Sequence, residues 1–142
     1  MSLDDLTRVP PYFIYKELAC KCGCGLLPPF ETIMKAYSMR LILDIPLLIN
    51  SAARCAKYNR FKQFSPNSAH VPFKDRISKT LVVGGGGLDI VAESRKKHMI
   101  HEVRLIEVAI FVGFTGIGLR DNTFLHVDDC TGIKRPSAFG YN

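Results

Sequence analysis

Within Phe124-Leu125-His126-Val127-Asp128, apolar and polar side chains alternate from Leu125 onward, and Leu88-Asp89-Ile90, inside Gly87-Leu88-Asp89-Ile90-Val91-Ala92, does the same. Successive side chains of a strand point to opposite faces. Both stretches therefore read as strands. Leu88, Ile90, Leu125 and Val127 turn to a core, while Asp89, His126 and Asp128 turn to the other face and suit a cleft lined by the sheet. Upstream, Asn67-Ser68-Ala69-His70 places a histidine beside small residues. His70, Asp89 and His126 read as three ligands brought together by folding. Residues locked by apolar neighbours supply the rigidity a metal needs. Three protein ligands with the fourth position open is the arrangement of a catalytic zinc, and it points to metal-assisted hydrolysis. Taken singly, Asp89 and His126 are better explained as a paired aspartate and a satisfied histidine. The joint pattern favours the metal.

The 142 residues show no compositional break, so one domain over residues 1–142 is expected, large enough to bury a core. Hydrophobic residues at 47% and charged residues at 23% exclude a disordered chain. No apolar run reaches the roughly 18 residues that a membrane span needs. No secretory signal is visible in residues 1–11, which read as an irregular arm. A net charge of +6 favours polyanionic partners. Only Arg95-Lys96-Lys97 is tightly clustered, so specific nucleic-acid recognition is not expected.

Of five cysteines, three sit in Cys20-Lys21-Cys22-Gly23-Cys24; Cys55 and Cys130 stand apart. Reduced thiols are expected in the absence of an export signal. The cluster reads as packed thiols, a local disulfide formed after release, or a structural metal site. Its C-x-C-x-C spacing is not the paired C-x-x-C of zinc ribbons.

Tyr12-Phe13-Ile14-Tyr15 reads as a β-prone start. A helix is expected from about Glu31 to Leu43, with Ile33, Met34, Tyr37 and Leu41 facing the core. Pro46 to Asn50 reads as a buried strand, and Ser51 to Phe64 as a loop or short helix. A second helix is expected over 93–111, with Met99, Val103, Ile106 and Ile110 as its apolar stripe. His98, His101 and Glu102 on its opposite side read as a solvated face. Gly84 to Gly87 is no phosphate loop, because the glycines enter a strand and no Gly-Lys-Ser/Thr follows. The whole predicts an α+β fold: a small, mostly antiparallel sheet with helices packed on one side and zinc in a central cleft. Residues 71–87 read as an inserted loop and 131–142 as a polar tail.

Further stretches carry a family resemblance. Tyr12-Phe13 with Glu17 to Gly25, Ile49-Asn50-Ser51 with Arg54-Cys55, Pro66 to His70, Leu88-Asp89-Ile90, Gly116-Ile117-Gly118 and Phe124 to Asp128 together resemble the zinc D-alanyl-D-alanine carboxypeptidases. More narrowly, they resemble the small phage and bacterial branch of that family, related to the hedgehog-like zinc fold. The resemblance implies Zn2+ held by His70, Asp89 and His126, and hydrolysis of peptidoglycan stem or cross-link peptides. It implies that Arg54 and Ser68 bind substrate, with the arginine suited to a terminal carboxylate or the scissile carbonyl. Residues 71–88 separate the first two ligands more widely than in the family, which makes Asp75 a rival ligand. Where many relatives carry an acidic residue, this chain has Thr123. Asp128 is then the expected catalytic base, with Asp121 as a loop alternative; Asp128 can instead orient His126. The implied setting is a monomeric enzyme of endolysin type. It is made in the cytoplasm and acts on the cell wall after release during phage lysis, or as part of a virion. A catalytically weak zinc-containing wall- or partner-binding module is the alternative.

Overall fold

The computed structural model describes residues 12–64, 68–71, 86–92, 102–120, 124–130 and 137–140. The elements in chain order are α1 (Tyr15–Leu18), α2 (Phe30–Leu43), β1 (Leu47–Ser51), α3 (Ala56–Phe61), β2 (Gly87–Ala92), α4 (Glu102–Val112), β3 (Gly116–Arg120), β4 (Phe124–Asp128) and β5 (Ser137–Gly140). The arm at 1–11, Asp75 with most of the inserted loop, residues 93–101 with His98 and His101, Asp121 and Thr123 lie outside the described residues.

The class is α+β. The sheet runs β1-β2-β4-β3-β5; the first four strands pair antiparallel, and β5 joins β3 in parallel. Alternation decides its two faces. Leu47, Ile49, Leu88, Ile90, Ile117, Leu125 and Val127 join Ile33, Ala36 and Met39 of α2 and Leu105, Val108 and Ala109 of α4 in one buried cluster. Asp89, His126 and Asp128 occupy the alternate positions. β5 lies within the segment read as a tail, and α1 replaces the expected strand start at Tyr15.

Pro29 precedes α2 with its φ already set near the helical value, and Asp44 closes the helix in the left-handed region at φ 51°, its N–H bonded to the Arg40 carbonyl. Both long helices bury the expected stripe only in part: Ile33, Tyr37 and Ile106 pack in or against the core, but other expected residues turn outward. In α2 the buried set is Thr32, Ile33, Ala36 and Met39, while Leu41 is exposed. In α4 it is Leu105, Val108 and Ala109, while Val103 and Ile110 are exposed. Small residues at Ala36 and Ala109 suit close packing of the two helices. Thr32 is drawn inward because its hydroxyl donates to the Asp129 carboxylate at 2.9 Å. An open apolar hollow of about 360 Å³, lined by Ser38, Leu41, Ile42, Phe111 and Val112, remains between α2 and α4; none of the candidate ligands lines it.

One glycine sets how closely the His70 segment approaches β2. A Cβ at Gly87 would stand 2.9 Å from the Ala69 carbonyl carbon and 3.0 Å from the His70 nitrogen. Both obstacles are backbone and cannot rotate away. Gly87→Ala is expected to cost about 1–3 kcal/mol, the usual range for overpacking. Urea denaturation measures this, and a midpoint equal to that of the parent would contradict it.

Candidate metal centre

Two antiparallel strands and one loop build the site. Asp89 on β2 is the register partner of His126 on β4, and Gly118 of β3 is the partner of His126 on its other side. Asp128 is flanked in the same way by Gly87 and Gly116. Directly opposed residues of antiparallel strands share a face. Glycines therefore put no side chain beside the imidazole or the carboxylate, and at Gly87 the Ala69–His70 backbone takes that space. His70 arrives from the loop before β2. That loop is stitched to the chain after β1, where the Arg54 N–H donates to the His70 carbonyl at 2.8 Å.

The side chains converge on one oxygen. Asp89 Oδ1 lies 3.2 Å from His70 Nε2 and 3.0 Å from His126 Nδ1. The two rings meet edge-on with centroids 5.0 Å apart. Donor atoms of His70, Asp89 and His126 all lie within 4.8 Å of one another, so the three can hold a metal ion. Each outward ring nitrogen is also occupied. His70 Nδ1 donates to the Ala52 carbonyl at 2.7 Å, and His126 Nε2 donates to Asp128 Oδ2 at 3.0 Å. Such partners fix which nitrogen faces the centre and how the ring is turned. Asp128 is fully buried, and its other oxygen accepts the Cys130 N–H. The Asp89 side chain keeps 13% exposure against 3% for each histidine, so solvent reaches the centre along the carboxylate.

Arg54 and Ser68 stand beside this centre. The Arg54 guanidinium donates to Ser68 Oγ at 3.0 Å and lies over the Phe64 ring at 4.4 Å. The same Ser68 oxygen accepts the His70 N–H at 3.3 Å. Sequence reasoning did not anticipate the clamp at the end of β4. Asp129 there is gripped by Thr32 and by Lys35 at 2.7 Å, which ties α2 to the strand carrying His126. Nor did it join Cys55 to Cys20, Cys22 and Cys24, which form a second group able to hold a metal ion.

The electrostatics separate the two histidines. Burial lowers the His70 pKa, outweighing the nearby Asp89. Burial acts on His126 in the same sense, but hydrogen bonds to Asp128 and Asp89 outweigh it and the net shift is upward. Burial alone would raise Asp89; hydrogen bonds from His126 and His70 prevail and hold its carboxyl well below the ordinary range. A metal needs both imidazoles deprotonated at the ligating nitrogen. As pH falls, the first competing proton goes to His126, above the ordinary histidine value of about 6.5. Metal affinity is thus expected to weaken from the neutral range downward, with the Asp89 carboxylate still charged. Metal titrations at a series of pH values measure this; affinity independent of pH between neutrality and the ordinary carboxylate range would contradict it.

Among the described residues no helix is long and apolar enough to cross a membrane. Comparison of the chain with protein-family models, with curated proteins and with solved structures gave no match.

Proposed function

We propose that this protein is a zinc-dependent peptidase that hydrolyses peptide bonds in bacterial peptidoglycan, at the D-Ala-D-Ala end of stem peptides or at their cross-links. The observation that carries the reading is the convergence of His70 Nε2, His126 Nδ1 and Asp89 Oδ1, with both outward ring nitrogens pinned. This donor set of two imidazoles and a carboxylate fits zinc and leaves a fourth position open. The resemblance of the surrounding stretches to the D-alanyl-D-alanine carboxypeptidases supplies the substrate class.

When bound, zinc supplies a Lewis acid for the scissile carbonyl and lowers the pKa of water to about 7. The chain's own residues do the rest. Ala52 and Asp128 hold the two imidazoles in their ligating orientation. Arg54, steadied by Ser68 and stacked on Phe64, offers guanidinium N–H groups to the substrate carboxylate or carbonyl. Asp128 belongs to the positioning set in this reading, because its carboxylate is buried on the far side of the His126 ring. Proton transfer then falls to another carboxylate, and Asp121, the loop alternative, lies outside the described residues. Net charge of +6 favours the anionic wall. Action on the wall after phage lysis, or from a virion, and a monomeric state complete the proposal.

Digestion of purified peptidoglycan, read by mass spectrometry of the released fragments, tests it. The expected result is new D-alanine or newly freed cross-link amines, lost with a chelator and restored by zinc. Arg54→Ala is expected to lower kcat/KM roughly tenfold to a hundredfold, the worth of a hydrogen bond to a charged group. The burial of Asp128 favours one second reading, a zinc-containing module that grips wall peptides without turnover. Wall binding with an intact metal and no fragments would select it.

A further inference from the structure

We infer that Cys20, Cys22, Cys24 and Cys55 form a second metal site, a closed tetrathiolate centre for zinc that clamps the loop after α1 to the start of α3. The inference does not rest on the peptidase reading. All four are free cysteines whose sulfurs lie within 4.8 Å of one another. Cys22 Sγ stands 3.5 Å from Cys20 Sγ and 3.6 Å from Cys55 Sγ. Four sulfurs bound tetrahedrally at about 2.3 Å are spaced by about 3.8 Å, so the cluster already has nearly the required size.

The backbone is shaped to build it. Gly23 and Gly25 take positive φ, at 85° and 83°, which lets the Cys20–Cys24 segment curl over a common centre. Cys55 comes from elsewhere in the chain, at the N-cap of α3. Two backbone N–H groups point at sulfur: Cys55 N–H at Cys20 Sγ and Tyr58 N–H at Cys55 Sγ, each at 3.3 Å. N–H donors of this kind stabilise thiolates around a metal. A set of four soft sulfur donors selects zinc or iron over hard cations, and four protein ligands leave no open position, so the site is structural. Binding one Zn2+ releases four thiol protons and leaves a net charge of −2, beside the basic side chain of Lys21.

The clamp also supports the other centre. Cys55 follows Ala52, whose carbonyl holds His70 Nδ1, and Arg54, whose N–H holds the His70 carbonyl. Across the clamp, the Ala53 N–H bonds the Leu18 carbonyl. Loss of the thiolate metal is therefore expected to loosen the segment that carries Ala52 and Arg54.

The test uses the full chain with Asp89→Ala, which among the described residues leaves the cysteines as the one group able to hold a metal, prepared reduced and metal-free. Cobalt(II) is expected to bind with one equivalent and to give the sulfur-to-metal charge-transfer absorption of a tetrahedral thiolate centre, which nitrogen and oxygen donors cannot produce. Zinc is expected to displace it and to shield the four thiols from a thiol reagent until a chelator is added. Cys24→Ser, which leaves three thiolates, is expected to weaken the charge-transfer band and to lower cobalt affinity. If either variant fails to fold, zinc-edge X-ray absorption of the parent protein decides, through the presence or absence of sulfur scattering. A cobalt complex without the charge-transfer band, thiols equally reactive with and without zinc, or an absence of sulfur scattering overturns the inference.

Discussion

Asp89→Ala is expected to remove one metal ion per chain and, with it, all peptide hydrolysis. Asp89 Oδ1 lies within 3.2 Å of both His70 Nε2 and His126 Nδ1, so its loss takes away the carboxylate that faces both imidazoles. Two neutral ligands hold a divalent cation far less well than two imidazoles and a carboxylate. A ligand that binds only the folded state at about a thousandfold over its Kd stabilises by about 4 kcal/mol. At this chain length that corresponds to a rise in melting temperature on the order of 10 °C. The rise on zinc addition should shrink by that amount in Asp89→Ala, while any contribution from the cysteine group persists. Elemental analysis and thermal melts with and without zinc measure both effects. Unchanged metal content would remove Asp89 from the ligand set.

The second large effect concerns Asp128. Its carboxylate is fully buried, receives the His126 Nε2 proton at 3.0 Å and accepts the Cys130 N–H at 3.3 Å. A group placed there turns the ring and raises its basicity, so its removal acts through the metal. Replacement of such a partner usually costs about 10- to 100-fold in metal affinity or activity. Asp128→Ala is expected to weaken zinc binding by that range and to fall in activity in parallel, with activity returning at excess zinc. Asp128→Asn, which keeps one acceptor oxygen, is expected to lose less. A base acting on water behaves differently: zinc affinity would hold while kcat collapses beyond rescue by metal. Equilibrium zinc titration beside kinetics at saturating zinc separates the two, and unaltered affinity in Asp128→Ala would falsify the positioning role.

The parts of this molecule legible in its sequence are those governed by strict alternation. The period of two in Leu88-Asp89-Ile90 and in Phe124 to Asp128 assigns each side chain to a face without knowledge of the partner strand. The structure brings His70, Asp89 and His126 together as that pattern implies. Asp128, two residues after His126, falls on the same face for the same reason. Alternation does not tell which ring nitrogen of His126 it meets, because that depends on how β4 lies against β2.

Helix faces were less legible. In α2, Ile33, Met34, Tyr37, Met39 and Leu41 offer more than one apolar stripe. The choice falls to Thr32, Ile33, Ala36 and Met39 because small residues admit α4 and Thr32 finds Asp129. In α4 Val103 and Ile110 stay outside, while Leu105, Val108 and Ala109 pack inward. The cysteine group illustrates a third limit. Cys20, Cys22 and Cys24 are adjacent in the chain, but their fourth partner, Cys55, is an isolated residue brought in by the turn from β1 into α3. Single residues distant in sequence carry no spacing signal.

Diffraction from crystals of the zinc-loaded protein, collected across the zinc absorption edge, addresses the histidine centre at atomic level. The expected result is an anomalous peak about 2.0–2.2 Å from His70 Nε2, His126 Nδ1 and an Asp89 oxygen, with Asp128 bonded to the opposite nitrogen of His126. A fully loaded crystal with no peak at those three atoms, or with His126 turned to ligate through Nε2, would contradict it.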